Sequence, residues 1–260
     1  MITRLVGDRR RLAVLRRIDR PAAAILAILQ ALVAAAGWFA EPAGLALAVA
    51  VAVQLALGGV GAVRVIGPAR GDLGLARYAI PATAGIAATL FGRLIPGGLS
   101  LLLVPIVAVV LWAITYLELR AERGTGGRTL GDLGLVAIVF GGSAGILHQF
   151  GAQTWPTPLL LAALLALPPA LRAAEARGTM GAEGLGQALL QVLAVVQVGL
   201  GAALLNVSIL VIAALMALAF YTWSGAVDAL RGGASGRSVA VEFGALVLLG
   251  LFVGLLLYRP

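Results

Sequence analysis

The sequence predicts an all-α, polytopic membrane bundle of nine transmembrane helices, with the N-terminus in the cytoplasm and the C-terminus outside. Three observations predict it. The composition is too apolar for a soluble fold, nine apolar stretches approach or reach spanning length, and arginines gather in every second connection between them.

A soluble domain is about 45–50% apolar and about 25% charged. This chain of 260 residues is 61% apolar and 12% charged, with a mean hydropathy of +1.05. So few charges cannot clothe a water-facing surface around that much apolar side chain, and lipid is the solvent that fits. The chain has no cysteine and one histidine, which excludes a disulfide, a thiolate nucleophile and a multi-histidine metal site within it. All 19 basic residues are arginine, and the net charge is +8. Basic residues beside membrane spans set topology, so the charge implies no nucleic-acid partner.

A hydrocarbon core of roughly 30 Å takes about 20 apolar residues in a helix. The first stretch runs from Pro21 to about Ala40, behind Arg4, Arg9, Arg10, Arg11, Arg16, Arg17 and Arg20. Residues 1–20 read as a basic cytoplasmic interfacial segment, drawn to anionic headgroups by about 1 kcal/mol per arginine. Residues 21–260 read as one nine-helix transmembrane domain. The second span, Pro42 to Val63, returns to Arg64, Arg70 and Arg77. The third runs from Ala79 to Ile95, and the fourth from Leu99 to Leu117, ahead of Arg120, Arg123 and Arg128. The fifth covers Gly131 to Gln149. The sixth, Thr157 to Arg172, is read as the shortest, with Pro168-Pro169 near its end and Arg177 beyond it. The seventh is Gly186 to Leu205, and the eighth, Asn206 to Trp223, leads to Arg231 and Arg237. The ninth is Val239 to Tyr258. Only Arg93 and Arg259 fall on the other side. That alternation satisfies the positive-inside rule, and a wrong span count would scramble it.

One internal echo stands out. Gly71-Asp72-Leu73-Gly74-Leu75 recurs as Gly131-Asp132-Leu133-Gly134-Leu135, and Ala84-Gly85-Ile86 recurs as Ala144-Gly145-Ile146 in the same register. Internal repeats are common in membrane transporters. Ionisable groups within a span are costly and mark function by default, yet this chain has almost none at mid-depth. Glu242, about one turn inside the ninth span, is the deepest carboxylate. The pattern argues against a pump built on a central carboxylate. Gln187, Gln191 and Gln197 fall on one broad face of the seventh span. They read as interhelical hydrogen-bonding groups or, with Glu242, as the polar edge of an internal pocket.

Arg17-Ile18-Asp19-Arg20-Pro21 directly precedes the first span, and Gly127-Arg128-Thr129-Leu130-Gly131-Asp132 leads through Phe140-Gly141-Gly142 to Gly145. These segments, with nine helices running N-in to C-out, resemble the UbiA-type membrane prenyltransferase superfamily. The resemblance implies a UbiA-like bundle in which two aspartate-rich motifs, at the cytoplasmic ends of spans two and six, hold Mg²⁺ against a prenyl diphosphate. A hard cation with oxygen ligands steadies that departing group. Here the first region, Gly61 to Asp72, holds one carboxylate, and the second, Pro168 to Gly178, holds Glu175 and no aspartate. The departure implies a non-catalytic member, which binds a lipid, quinone or isoprenoid or packs as a subunit of a larger complex in the bacterial cytoplasmic membrane. No cofactor is expected. The alternatives are a divergent Mg²⁺-dependent prenyltransferase and, from the repeat, a small-solute transporter. Arginine meets phosphate bidentately, so Arg64, Arg70, Asp72, Arg172, Glu175 and Arg177 are the candidates for a lipid headgroup or diphosphate. No catalytic residue is assigned.

Overall fold

The computed structural model describes residues 2–66, 74–95, 97–122, 128–151, 156–205 and 207–256. Arg70, Asp72 and Arg123 lie outside them. Among the described residues the chain forms nine α-helices: α1 (Ile2–Phe39), α2 (Ala43–Ile66), α3 (Ala76–Gly92), α4 (Gly97–Glu122), α5 (Arg128–Phe150), α6 (Thr157–Ala176), α7 (Gly181–Leu204), α8 (Ile209–Arg231) and α9 (Gly236–Leu256). Eight of them are long and apolar enough to cross a membrane. The exception is α3, at 17 residues about 26 Å long. It is thus shorter than α6, which has 20 residues and was expected to be the shortest.

Packing follows a simple graph. Helix α1 touches α2 and α4, and α3 touches α2 and α4, which closes a four-helix ring; α1 and α3 also touch across it. A second ring runs α5–α6–α7–α8 and back to α5. The rings join where α3 meets α5 and α6, and α9 is attached through α8. The repeated segments therefore bring α3 and α5 side by side at the centre.

Lipid tails are as apolar as leucine, so helices in a bilayer associate through close packing and interhelical hydrogen bonds rather than by hiding from water. The core fits that account. Alanine is the commonest of its buried side chains, as at Ala27, Ala31, Ala84, Ala144, Ala162, Ala166 and Ala188. On α1 the buried positions Ala23, Leu26, Ala27, Gln30, Ala31, Ala34 and Trp38 keep the three-to-four spacing of one helix face. Meanwhile α9 buries only Val239 and Gly254.

The ends of α3 explain its length. At one end Arg93 donates to the Gly37 and Ala40 carbonyls, at 2.8 and 2.7 Å, satisfying the terminal acceptors of α1. Trp38 Nε1 donates to the Ala88 carbonyl beside it at 3.1 Å. At the other end the Ala76 N–H donates to Glu175 Oε1 of α6 at 3.0 Å. Protein groups thus satisfy backbone ends that water or lipid headgroups serve elsewhere.

Candidate functional site

The helix ends that carry arginine meet in one layer. There the last turns of α2, α4 and α6 lie beside the first turn of α3. Helix α6 stops in a Schellman motif: Gly178, with φ +81°, follows the C-cap. Its N–H donates to the Glu175 carbonyl at 2.9 Å, and the Thr179 N–H to the Ala174 carbonyl at 3.1 Å. Glycine takes that left-handed conformation without the steric cost other residues meet. The stop leaves Arg172 and Glu175 on the last turns, three residues apart and on one side of the helix.

Arg172 reaches α4, where its Nε donates to Glu118 Oε2 at 2.7 Å. Both side chains are largely enclosed, at 16% and 9% exposure. Glu175 meets α3 instead and serves as its distant cap, a carboxylate at the positive end of a helix dipole. Its carboxylate lies against Gly74, where a β-carbon would collide with it. Arg77 in the first turn of α3 is 3% exposed. Its Nη2 donates to the Tyr78 hydroxyl at 2.6 Å, and its guanidinium lies 4.6 Å from that ring. The Arg177 carbonyl accepts from Arg231 at 2.8 Å, and Arg231 also faces Glu183 at 3.7 Å.

Of the residues expected to meet an anionic headgroup, Arg172, Glu175 and Arg177 do gather at this end of α6. Arg64 sits exposed in the last turn of α2, where a cation favours the helix dipole. Glu118 and Arg77 belong to the layer as well. In the sequence the first stands at a helix end, where a carboxylate signals nothing by itself, and the second is one of the arginines that mark topology. Among the described residues no three Asp, Glu, His or Cys side chains come together. The carboxylates of Glu118 and Glu175 are held by Arg172 and by the α3 backbone. This described donor set does not fit a divalent cation.

The glutamines of α7 part company. Gln191 is fully buried; its amide donates to the Phe220 carbonyl at 3.1 Å and to Ser224 Oγ at 2.8 Å, tying α7 to α8. Gln187 donates to Glu183 at 3.3 Å and lies 3.2 Å from the Thr179 hydroxyl, at the α6–α7 turn. Gln197 is exposed on the outside of the bundle. Glu242 is exposed too, on a shallow cleft with Ser235, Arg237 and Ser238. Among the described residues, Gln191 thus lies inside the bundle, and Gln197 and Glu242 lie on its exposed surface.

Two buried glutamines of the first ring were overlooked, although the logic applied to α7 covers them. Gln30 of α1 donates to the Pro81 carbonyl at 2.8 Å. Gln54 of α2 donates to the Gln30 carbonyl at 2.8 Å and lies 3.2 Å from Thr89 Oγ1. Both amides close over Gly85, where any β-carbon would strike them.

Beside this layer opens a groove of about 470 Å³ between α1 and α4. Ala24, Ile28 and Leu32 form one wall, and Val104, Ala108 and Val109 the other, with Trp112 at the arginine-rich end. Trp112 stacks on Tyr116 at 5.3 Å. With Tyr78 it packs on a small cluster of Ala23, Ala62, Ile66 and Leu119, so the Trp112 end of the groove adjoins the charged layer.

A helical bundle with eight spanning-length apolar helices and a buried charged layer at one end defines a polytopic integral membrane protein. No family model matches the chain, and no curated protein or solved structure matches it either.

Proposed function

We propose that this protein is a non-catalytic, lipid-binding member of a UbiA-like fold, which holds the apolar chain of an isoprenoid or quinone in the groove between α1 and α4. The arginine-rich layer faces the cytoplasm of a bacterial inner membrane, with the N-terminus inside and the C-terminus outside, as the distribution of arginines favours. The groove carries the reading. Ligand pockets are mostly apolar with a few polar groups at one end, and here the Trp112 end abuts Tyr78 and Arg77. The non-catalytic part rests on Glu118 and Glu175, both of which are engaged by protein partners.

The test is lipid analysis of the protein extracted with its native membrane into nanodiscs. An isoprenoid or quinone should be enriched over bulk membrane, and several-fold less should be retained by Ala108→Phe, which fills the groove. No enrichment would refute the binding. Mg²⁺-dependent turnover of a prenyl diphosphate that Glu175→Ala abolishes would refute the non-catalytic assignment.

A further inference from the structure

The outer face of α7 carries a feature that neither a lipid groove nor the charged layer uses. Gly186, Leu190, Leu193, Gln197, Leu200 and Leu204 are spaced alternately four and three residues apart and are all exposed. The leucines are 43–79% exposed. Helix α7 packs on α6 and α8, and α9 on α8, which leaves this seam open along its length.

Gln197 is the anomaly. Its side chain makes no hydrogen bond to another described residue, in contrast to Gln191 on the same helix. It lies about 10 Å inside the Leu204 end, within a hydrocarbon layer of roughly 30 Å. Side chains on a helix lean toward its N-terminus, so this amide leans deeper into the apolar layer rather than toward the nearer surface. Lipid tails offer it neither donor nor acceptor, and an unsatisfied amide in such surroundings is costly.

We propose that the α7 seam is a homodimer interface, in which Gln197 of one copy exchanges hydrogen bonds with Gln197 of a second copy. The amide is self-complementary, with two N–H donors and a carbonyl acceptor. A two-fold axis parallel to the membrane normal brings the same residue of both copies together. Alternating four and three spacing is the knobs-into-holes seam of a left-handed helix pair, in which one polar position fixes the register. Gly201, one turn beyond Gln197, and Gly186 face open space and let the partner helix approach closely.

The absence of cysteine makes the test direct. Single-cysteine variants Leu193→Cys and Leu200→Cys are oxidised in membranes beside a control on α9, Leu248→Cys, which is 68% exposed. Disulfide dimers should form at the two seam positions and not at the control. Dimerisation of the purified chain is then followed by fluorescence energy transfer over a range of protein-to-lipid ratios. Gln197→Leu should raise the dissociation constant roughly tenfold, as loss of two interhelical hydrogen bonds implies. Gln197→Asn should keep most of the affinity. The Leu variant should retain native helicity and unfolding midpoint, because the side chain is exposed and makes no hydrogen bond to another described residue of its own copy. A wild-type chain that stays monomeric at every ratio overturns the proposal. So does a dimer indifferent to Gln197→Leu, or seam cysteines that capture a different protein and never a second copy.

Discussion

At the scale of single residues, Glu118 survives in an enclosed position because a fixed guanidinium offsets what dehydration costs the carboxylate. Arg172 stands 2.7 Å away on a neighbouring helix. Replacing a buried pair by apolar groups is often neutral, whereas removing one member strands the other at about 3–5 kcal/mol. Arg172→Ala should therefore lower unfolding stability in lipid-detergent micelles by about 3–5 kcal/mol. The joint replacement Glu118→Leu with Arg172→Met should recover most of it. If the single variant loses no more than the double, the pair is not what makes the carboxylate tolerable. The sequence displays both residues at helix ends, where a carboxylate or a guanidinium next to an interface needs no explanation. The bond between them depends on which helices are neighbours, and that lies beyond any local pattern. The same holds for Glu175. Nothing near it in the chain signals that it caps a helix starting at Ala76.

At the scale of elements, helix existence was legible because a spanning helix has to be apolar for its whole length. Boundaries such as Thr157 for α6 and Leu204–Leu205 for α7 agree between pattern and fold. Expectation and fold diverge where protein replaces lipid as the solvent. Helix α3 ends at Gly92 rather than near Ile95: the chain tightens into turns at Leu94 and Ile95 ahead of Pro96, which cannot continue a helix, and Arg93 just past the end is engaged with α1. The glycines tell a similar story. Gly85 and Gly145 hold the same place in the repeated segments, but their partners differ: the amides of Gln54 and Gln30 for the first, and the backbone of Leu90 for the second. A methyl group at Gly145 would press on the Leu90 main chain, which cannot rotate aside. Gly145→Ala should cost about 1–3 kcal/mol, the usual range for overpacking. Gly244→Ala on α9, where a β-carbon meets nothing, should be neutral or slightly stabilising, since glycine inside a helix is about 0.5–1 kcal/mol worse than alanine. Unfolding midpoints of the two variants side by side decide the matter, and equal midpoints would mean that the α3–α5 contact is looser than the fold has it.

At the scale of the whole molecule, two four-helix rings meet where α3 touches α5 and α6, and the proposed topology has each helix run opposite to its predecessor. The orientation proposed from the arginines rests on the positive-inside rule. Arg93, the exception among the described residues, has its guanidinium occupied by the Gly37 and Ala40 carbonyls, with Glu41 at 3.9 Å. Its charge serves the end of α1 rather than opposing the bias of the other face. The element on which the alternation hinges is α3, which at 17 residues is shorter than the spanning-length helices, with Glu175 on its first turn and Trp38 on the Ala88 carbonyl toward its end. Gly44 and Gly236 are exposed, and a β-carbon at either meets nothing; seven helices, α2 to α8, separate them. In this cysteine-free chain, Gly44→Cys should react with an impermeant maleimide from outside intact cells. Gly236→Cys should react only in inverted vesicles. Labelling of both from one side would mean that an even number of helices crosses between them. Because the other helices in that stretch are each long enough to span unaided, α3 would be the one lying within the bundle without traversing it, and the charged layer at its first turn would then sit away from the membrane face that the arginines mark.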